Sequence, residues 1–276
     1  MQKSTPRPNS ITRWISALLL FILLSPPACL TQTRPEPTTA SQELTVAAAA
    51  SLQFAFPEIA AQFEQQTGAR VTLVFGSTGQ LTQQIENGAP YDLLAAADLA
   101  HIRQLADENL LLTDTIAVYA RGQIVLAVNR TSGAAAADLY DLLSPEIRHV
   151  AIANPAYAPY GAAARQALQA AGVWDEIQAK LVLGETVRQT LQYVQNGDAE
   201  VGVIPLSEAN VPEITWTLID PGLYDPIDHA LAVIHGAEHE ALARRFAAFV
   251  AAPTARAILQ NYGFTFPAPE ADTRQP

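Results

Sequence analysis

The chain has 276 residues, 49 % of them hydrophobic and 16 % charged, which excludes a disordered or fibrous protein and leaves room for one large core or two modest ones. Acids outnumber bases 27 to 16, a formal charge of −11. A body this acidic lacks the Lys and Arg that neutralise phosphates, so sequence-independent nucleic-acid binding is excluded, as the single cysteine, Cys29, excludes an internal disulfide or a cysteine zinc site.

The chain opens with Lys3, Arg7 and Arg13 as its only charges before Cys29, followed by an apolar run, Ile15–Leu24. A membrane helix needs about 20 apolar residues, so residues 1–28 read as an export signal. Ser25-Pro26-Pro27-Ala28-Cys29 sits where a bacterial lipoprotein is cut and acylated at its cysteine, although Pro26 and Pro27 depart from that pattern. Cleavage near Thr39-Ala40-Ser41, which removes the cysteine, is the alternative. Residues 29–42 are rich in Thr, Pro and Gln and read as an extended tether. Beyond the leader, 13 bases face 27 acids, a charge of −14. No later run is apolar enough to span a bilayer, so the body is expected to be soluble.

From Glu43 onward strand and helix signals alternate. Leu44–Ala49 is a short apolar strand, and Ser51 is placed to cap a helix that reaches Thr67 and stops at Gly68, its regular part beginning near Pro57. Arg70–Phe75 alternates as a strand, Gly76-Ser77-Thr78-Gly79 opens a helix up to Asn87, and Tyr91–Ala96 is a third strand ahead of a helix capped by Asp98. Further strands are predicted at Ile124–Asn129, Val150–Ala153, Lys180–Leu183, Glu200–Ile204 and Ala230–Ile234. Helices are predicted at Pro159–Ala171, Thr186–Asn196, Glu238–Ala251 and Thr254–Asn261. This alternation predicts an α/β protein of mostly parallel sheets covered by helices on both faces, in two lobes.

Ligands of such sheets gather where strands end and helices begin. Three junctions carry suitable groups: Ala49-Ala50-Ser51-Leu52, Phe75-Gly76-Ser77-Thr78-Gly79 and Glu185-Thr186-Val187-Arg188. A helix start offers free N–H groups and a positive dipole end to an anion, and the hydroxyls of Ser51, Ser77 and Thr78 add donors. Each junction alone is ordinary, since Ser and Thr there are usually caps and Gly usually marks a turn. Together they point to an anion.

The blocks Ala47-Ala48-Ala49-Ala50-Ser51-Leu52, Phe75-Gly76-Ser77-Thr78-Gly79-Gln80-Leu81, Gln84 to Leu93, Asn154-Pro155, Gly172-Val173-Trp174-Asp175, Val187-Arg188 and Tyr262-Gly263-Phe264 stand in one order across the chain. In them the sequence resembles the periplasmic molybdate-binding proteins of ABC importers. The resemblance implies a two-lobed periplasmic binding protein of type II, each lobe a mixed, mostly parallel sheet flanked by helices, closing over one tetrahedral oxyanion. Lobe I would be residues 43–121 with 230–276, and lobe II residues 122–229. Ser51 and Thr78 match positions that give hydroxyl and amide donors, with Ser77 beside them. Tyr160 and Val187 match positions that give amides from the second lobe. Some members carry a ligand tyrosine where this chain has Pro205, a residue with neither N–H nor hydroxyl, and the Tyr160 hydroxyl is the candidate replacement.

The resemblance further implies a monomeric receptor that captures molybdate, and tungstate with it, in the periplasm or at the outer membrane face, tethered through Cys29 if that residue is acylated. It would deliver the ion to a permease and its ATPase, with no cofactor, no enzymatic turnover and no nucleic-acid partner. All matched groups are donors, which suits a fully ionised dianion and disfavours phosphate, whose proton needs an acceptor. Sulfate, thiosulfate or another oxyanion in the same fold is the first alternative. An exported hydrolase is the second, and it would need a nucleophile with its base. Arg188 is read as an exposed helical residue and Trp174 and Trp216 as packing residues. His235 and His239, four apart, form a metal-like pair without a third ligand.

Overall fold

The computed structural model describes residues 43–267. The leader, Cys29 and the tether lie outside the described residues. Strand β1 (Glu43–Ala49) is apolar and buried from its second residue onward except at the half-buried Thr45, as befits a strand covered on both faces. A single turn of 3-10 helix, Ala50–Leu52, follows, and helix α1 (Ala55–Thr67) starts only beyond it, ending at Gly68 with φ 70°. Pro57 sits in the first turn of α1, where no intrahelical donor is missing. Phe54, rather than Ser51, holds the cap position of that helix.

Then come β2 (Arg70–Gly76), α2 (Thr78–Glu86), β3 (Leu93–Ala96) and α3 (Leu99–Asp107), the last capped by Asp98, which accepts from the His101 N–H at 2.9 Å. Strand β4 (Ala117–Gly122) leads directly into β5 (Ile124–Asn129). After them run β6 (Val150–Ala153), α4 (Pro159–Ala170), β7 (Leu181–Gly184), α5 (Val187–Asn196), β8 (Val201–Pro205) and β9 (Ile214–Leu218). The chain closes with β10 (Ile227–Val233), α6 (Glu240–Val250) and α7 (Pro253–Asn261).

Two five-stranded sheets result, in the orders β2-β1-β3-β10-β4 and β7-β6-β8-β5-β9. In each, two pairings are parallel and two antiparallel. The antiparallel ones all involve β5 or β10, the strands by which the chain enters one sheet from the other, so the crossings themselves account for the mixed pairing. The chain leaves the first sheet between Gly122 and Ile124 and returns between Leu218 and Ile227. Since β10 begins at Ile227, ahead of the boundary at 230, His229 belongs to the first sheet. Phe63 and Phe246 meet edge to face, with centroids 5.1 Å apart, and join α1 to α6.

β9 is an outer strand, and its Trp216 is 46 % exposed, not the packing residue its bulk suggests. Trp174 packs, partly buried, against the main core. No helix among the described residues is long and apolar enough to cross a membrane.

Candidate anion-binding site

Four chain segments meet where the two sheets face each other, each at the carboxyl end of a strand: the turn Ala50–Leu52 behind β1, α2 behind β2, α4 behind β6 and α5 behind β7. They enclose a cavity of about 10 Å³, lined by Ser51, Ser77, Thr78, Tyr160 and Val187 among alanines, Gly76 and Pro159. A space of that size holds about one water-sized centre, so a tetrahedral oxyanion fills it only as the walls draw slightly apart, and a sugar, nucleotide or peptide is far larger. The first wall comes from the β1 sheet, the second from the β6 sheet.

Burial makes the polar groups here informative. Ser51 Oγ and Ser77 Oγ are buried and have no hydrogen-bond partner, a situation that costs about 1–3 kcal/mol for each group. Ser77 caps α2 in a capping-box arrangement with Gln80: its N–H donates to Gln80 Oε1 at 3.4 Å, while its Oγ faces the Gln80 N–H without completing a hydrogen bond. Thr78 Oγ1 accepts from the Ala97 N–H at 3.0 Å, which leaves its own hydrogen to point elsewhere. On the second wall the donors are first-turn amides, which have no partner inside their helices. Pro159 has no N–H, so Tyr160 carries the first amide of α4, as Val187 does for α5, whose cap Thr186 accepts from the Gln189 N–H at 3.2 Å. No carboxylate, imidazole or cationic side chain lines the cavity. The arrangement therefore offers donors and three helix N-termini, and no acceptor side chain dedicated to a protonated ligand.

Behind the cavity, the Tyr160 hydroxyl is bonded to His229 Nε2 at 3.0 Å. Burial pushes the Tyr160 phenol up, opposed by the Ser51 hydroxyl, which lies close by without completing a hydrogen bond, and pushes His229 down to about 3. Both are neutral. His229 Nδ1 has no partner. A buried orphan N–H is rarer than a bare acceptor nitrogen, so the proton is assigned to Nε2, which then donates to the Tyr160 oxygen and frees the phenolic hydrogen toward the cavity side.

A seam of contacts between the two sheets surrounds the site. The Gly79 N–H donates to the Tyr157 carbonyl at 2.8 Å, and a Cβ on Gly79 would lie 2.9 Å from that oxygen. Ser207 Oγ donates to the Ser51 carbonyl at 2.8 Å, and Gln53 Nε2 to Glu208 Oε1 at 2.8 Å. Arg188 lies with its guanidinium 5.7 Å from the Phe54 ring centre, so it is a seam residue and not simply an exposed one. Pro205 ends β8, and the turn behind it sends Ser207 and Glu208 to the seam. These partners are about 155 residues apart and carry no sequence signal.

Asp92, just ahead of β3, accepts from the Thr45 and His239 N–H groups at 2.8 and 3.1 Å. His239 Nδ1 lies 3.5 Å from the same carboxylate. Among the described residues no group of three or more His, Cys, Asp or Glu is placed to hold a metal ion.

The model of bacterial extracellular solute-binding proteins matches residues 44–265. The chain belongs to that family. Over 262 residues this solute-binding protein is 31 % identical to the molybdate-binding protein ModA of Rhodobacter capsulatus, covering 94 % of this chain and 98 % of that one. It is 28 % identical over 257 residues to the putative ABC transporter substrate-binding lipoprotein YvgL of Bacillus subtilis, covering 91 % and 96 %. Among solved structures, the periplasmic molybdate-binding protein of Azotobacter vinelandii superposes with a TM-score of 0.77 at 29 % identity, covering 82 % of this chain and all of that one. The two-lobed periplasmic binding protein fold is thus that of this chain.

Proposed function

We propose that this protein captures molybdate outside the cytoplasmic membrane and delivers it to the permease and ATPase of an ABC importer, without covalent chemistry. One observation carries the choice of ligand class: two buried, unpartnered hydroxyls, Ser51 and Ser77, face a cavity that holds donors and no carboxylate. A fully ionised tetrahedral dianion satisfies those donors. Hydrogen phosphate would bring a proton that finds no carboxylate, and a hydroxyl that accepted it would be turned away from donating to the ion's other oxygens. The ligands are Ser51, Thr78 and Ser77 through hydroxyls and amides from one wall, and the amides of Tyr160 and Val187 from the other, with the Tyr160 hydroxyl standing in for the tyrosine absent at Pro205. Neutral donors let a chain of charge −11 bind an anion, because fixed dipoles act at short range in a closed site.

Tungstate, equal in charge and shape, is bound with molybdate. The small cavity favours a second reading in which sulfate, smaller than molybdate, is the ligand. A hydrolase is disfavoured, because neither serine hydroxyl has a base within hydrogen-bond reach. The leader and tether fit export of a monomer anchored by an acylated Cys29, and a mass measurement on the membrane fraction tests that attachment. Calorimetric titration with molybdate, tungstate, sulfate and phosphate tests the ligand. One-to-one binding of the first two with phosphate silent is expected; sulfate alone would change the ligand, and tight phosphate would overturn the donor argument.

A further inference from the structure

Glu208 reaches the seam from the turn behind β8 and is completely buried. Its Oε1 accepts from Gln53 Nε2 on the other module at 2.8 Å, while Oε2 has no partner. The groups around it are Arg188 from α5, Tyr160 from α4, Gln53 from the segment before α1, and Ser207, whose hydroxyl crosses the same seam to the Ser51 carbonyl. Arg188 is the cation among them, and its guanidinium lies over Phe54. An ionised carboxylate here would keep one oxygen dry and unpaired, so the neutral acid suits the closed seam.

The cavity is narrow, with room for about one water-sized centre, and Ser51 and Thr78 are each 1 % exposed. An ion enters only if the seam parts, and parting it separates Gln53 from Glu208 and lets water reach the carboxyl. We propose that Glu208 is a positioning residue that takes up one proton when the two modules close, so that capture tightens as pH falls. The consequence for capture rests on the receptor reading above.

The direction follows from the two environments. Closed, burial pushes the carboxyl up to about 8, against the Gln53 bond and the Arg188 charge; open and hydrated, it returns to the ordinary 4.5. Closure therefore has its full proton-linked stabilisation below the open value and loses it as pH rises through the closed one. Between them the affinity falls with pH, and one proton sets a limit of about tenfold per pH unit.

The test is calorimetric titration with molybdate at pH 6.5 in two buffers of different ionisation enthalpy, repeated from pH 5.5 to 8. The wild type is expected to take up close to one proton per ion and to weaken with rising pH, while Glu208→Gln takes up none and is flat. Glu208→Ala serves if the glutamine variant fails to fold. No uptake by the wild type, or equal uptake by the variant, overturns the proposal. If molybdate does not bind, the molybdate reading falls, and carbon NMR titration of the Glu208 carboxyl in the free chain and with sulfate added decides the proposal. An ordinary midpoint in the free chain that moves well above that range when the ion is bound supports it, and a midpoint already raised in the free chain or unmoved by the ion overturns it.

Discussion

The two walls of the cavity reach the same electrostatic result with different groups. The wall built by the Ala50–Leu52 turn and α2 presents side-chain hydroxyls, two of them without any protein partner. The wall built by α4 and α5 presents main-chain amides and, behind them, a tyrosine held by His229. Hydroxyls can be removed one atom at a time. Amides survive every substitution except proline, so the second wall tolerates sequence change that the first does not.

Gly79→Val attacks the meeting of the walls and has the largest expected effect. Its side chain would collide with the Tyr157 backbone across the seam, so titration should show binding weaker on the order of 100-fold, with the free chain still folded. Val187→Pro comes next. Proline is tolerated at the first position of a helix and Thr186 is already extended, so the change deletes one donor, and binding should weaken about 10- to 100-fold. Val187→Ala keeps the amide and should bind nearly as the wild type does. Equal damage from both would break the contrast between the walls.

Ser51→Ala should weaken binding by a similar or slightly smaller factor, about tenfold or more, yet leave unfolding free energy unchanged or higher, since it removes a buried orphan. Thr78→Ala should lose affinity and also about 1 kcal/mol of stability, because the Ala97 N–H loses its acceptor. Paired titration and denaturant unfolding separate the two. Tyr160→Phe has the smallest effect expected, a several-fold loss of affinity, as the hydroxyl is shared with His229. Unchanged affinity would leave Tyr160 only its amide.

Much of the fold is legible because burial on both faces writes continuous apolar strands, and Ile124–Asn129 and Val150–Ala153 fall where their residues predict. β4, with Arg121 inside it, and β9, four of whose five residues are exposed, lack that signal and appear only once paired. The candidate site is legible where local rules mark strand-to-helix junctions, at Ser51, Ser77, Thr78 and Val187, whereas Tyr160 is reached only through the family resemblance. What joins the walls is not. Tyr160 and His229 are 69 residues apart and Gln53 and Glu208 are 155 apart, and no local preference marks either pair. Ser51 illustrates the limit: its sequence context reads as a helix cap, and only the three-residue turn before α1 frees its hydroxyl.

The most direct test of the account is anomalous diffraction from crystals grown with tungstate, whose heavy atom marks its own position. The account predicts one strong peak within hydrogen-bonding range, through the ion's oxygens, of Ser51 Oγ, the Thr78 hydroxyl and the Val187 N–H. A peak elsewhere, beside His235 and His239 for example, or the absence of any peak between the two walls, would contradict it.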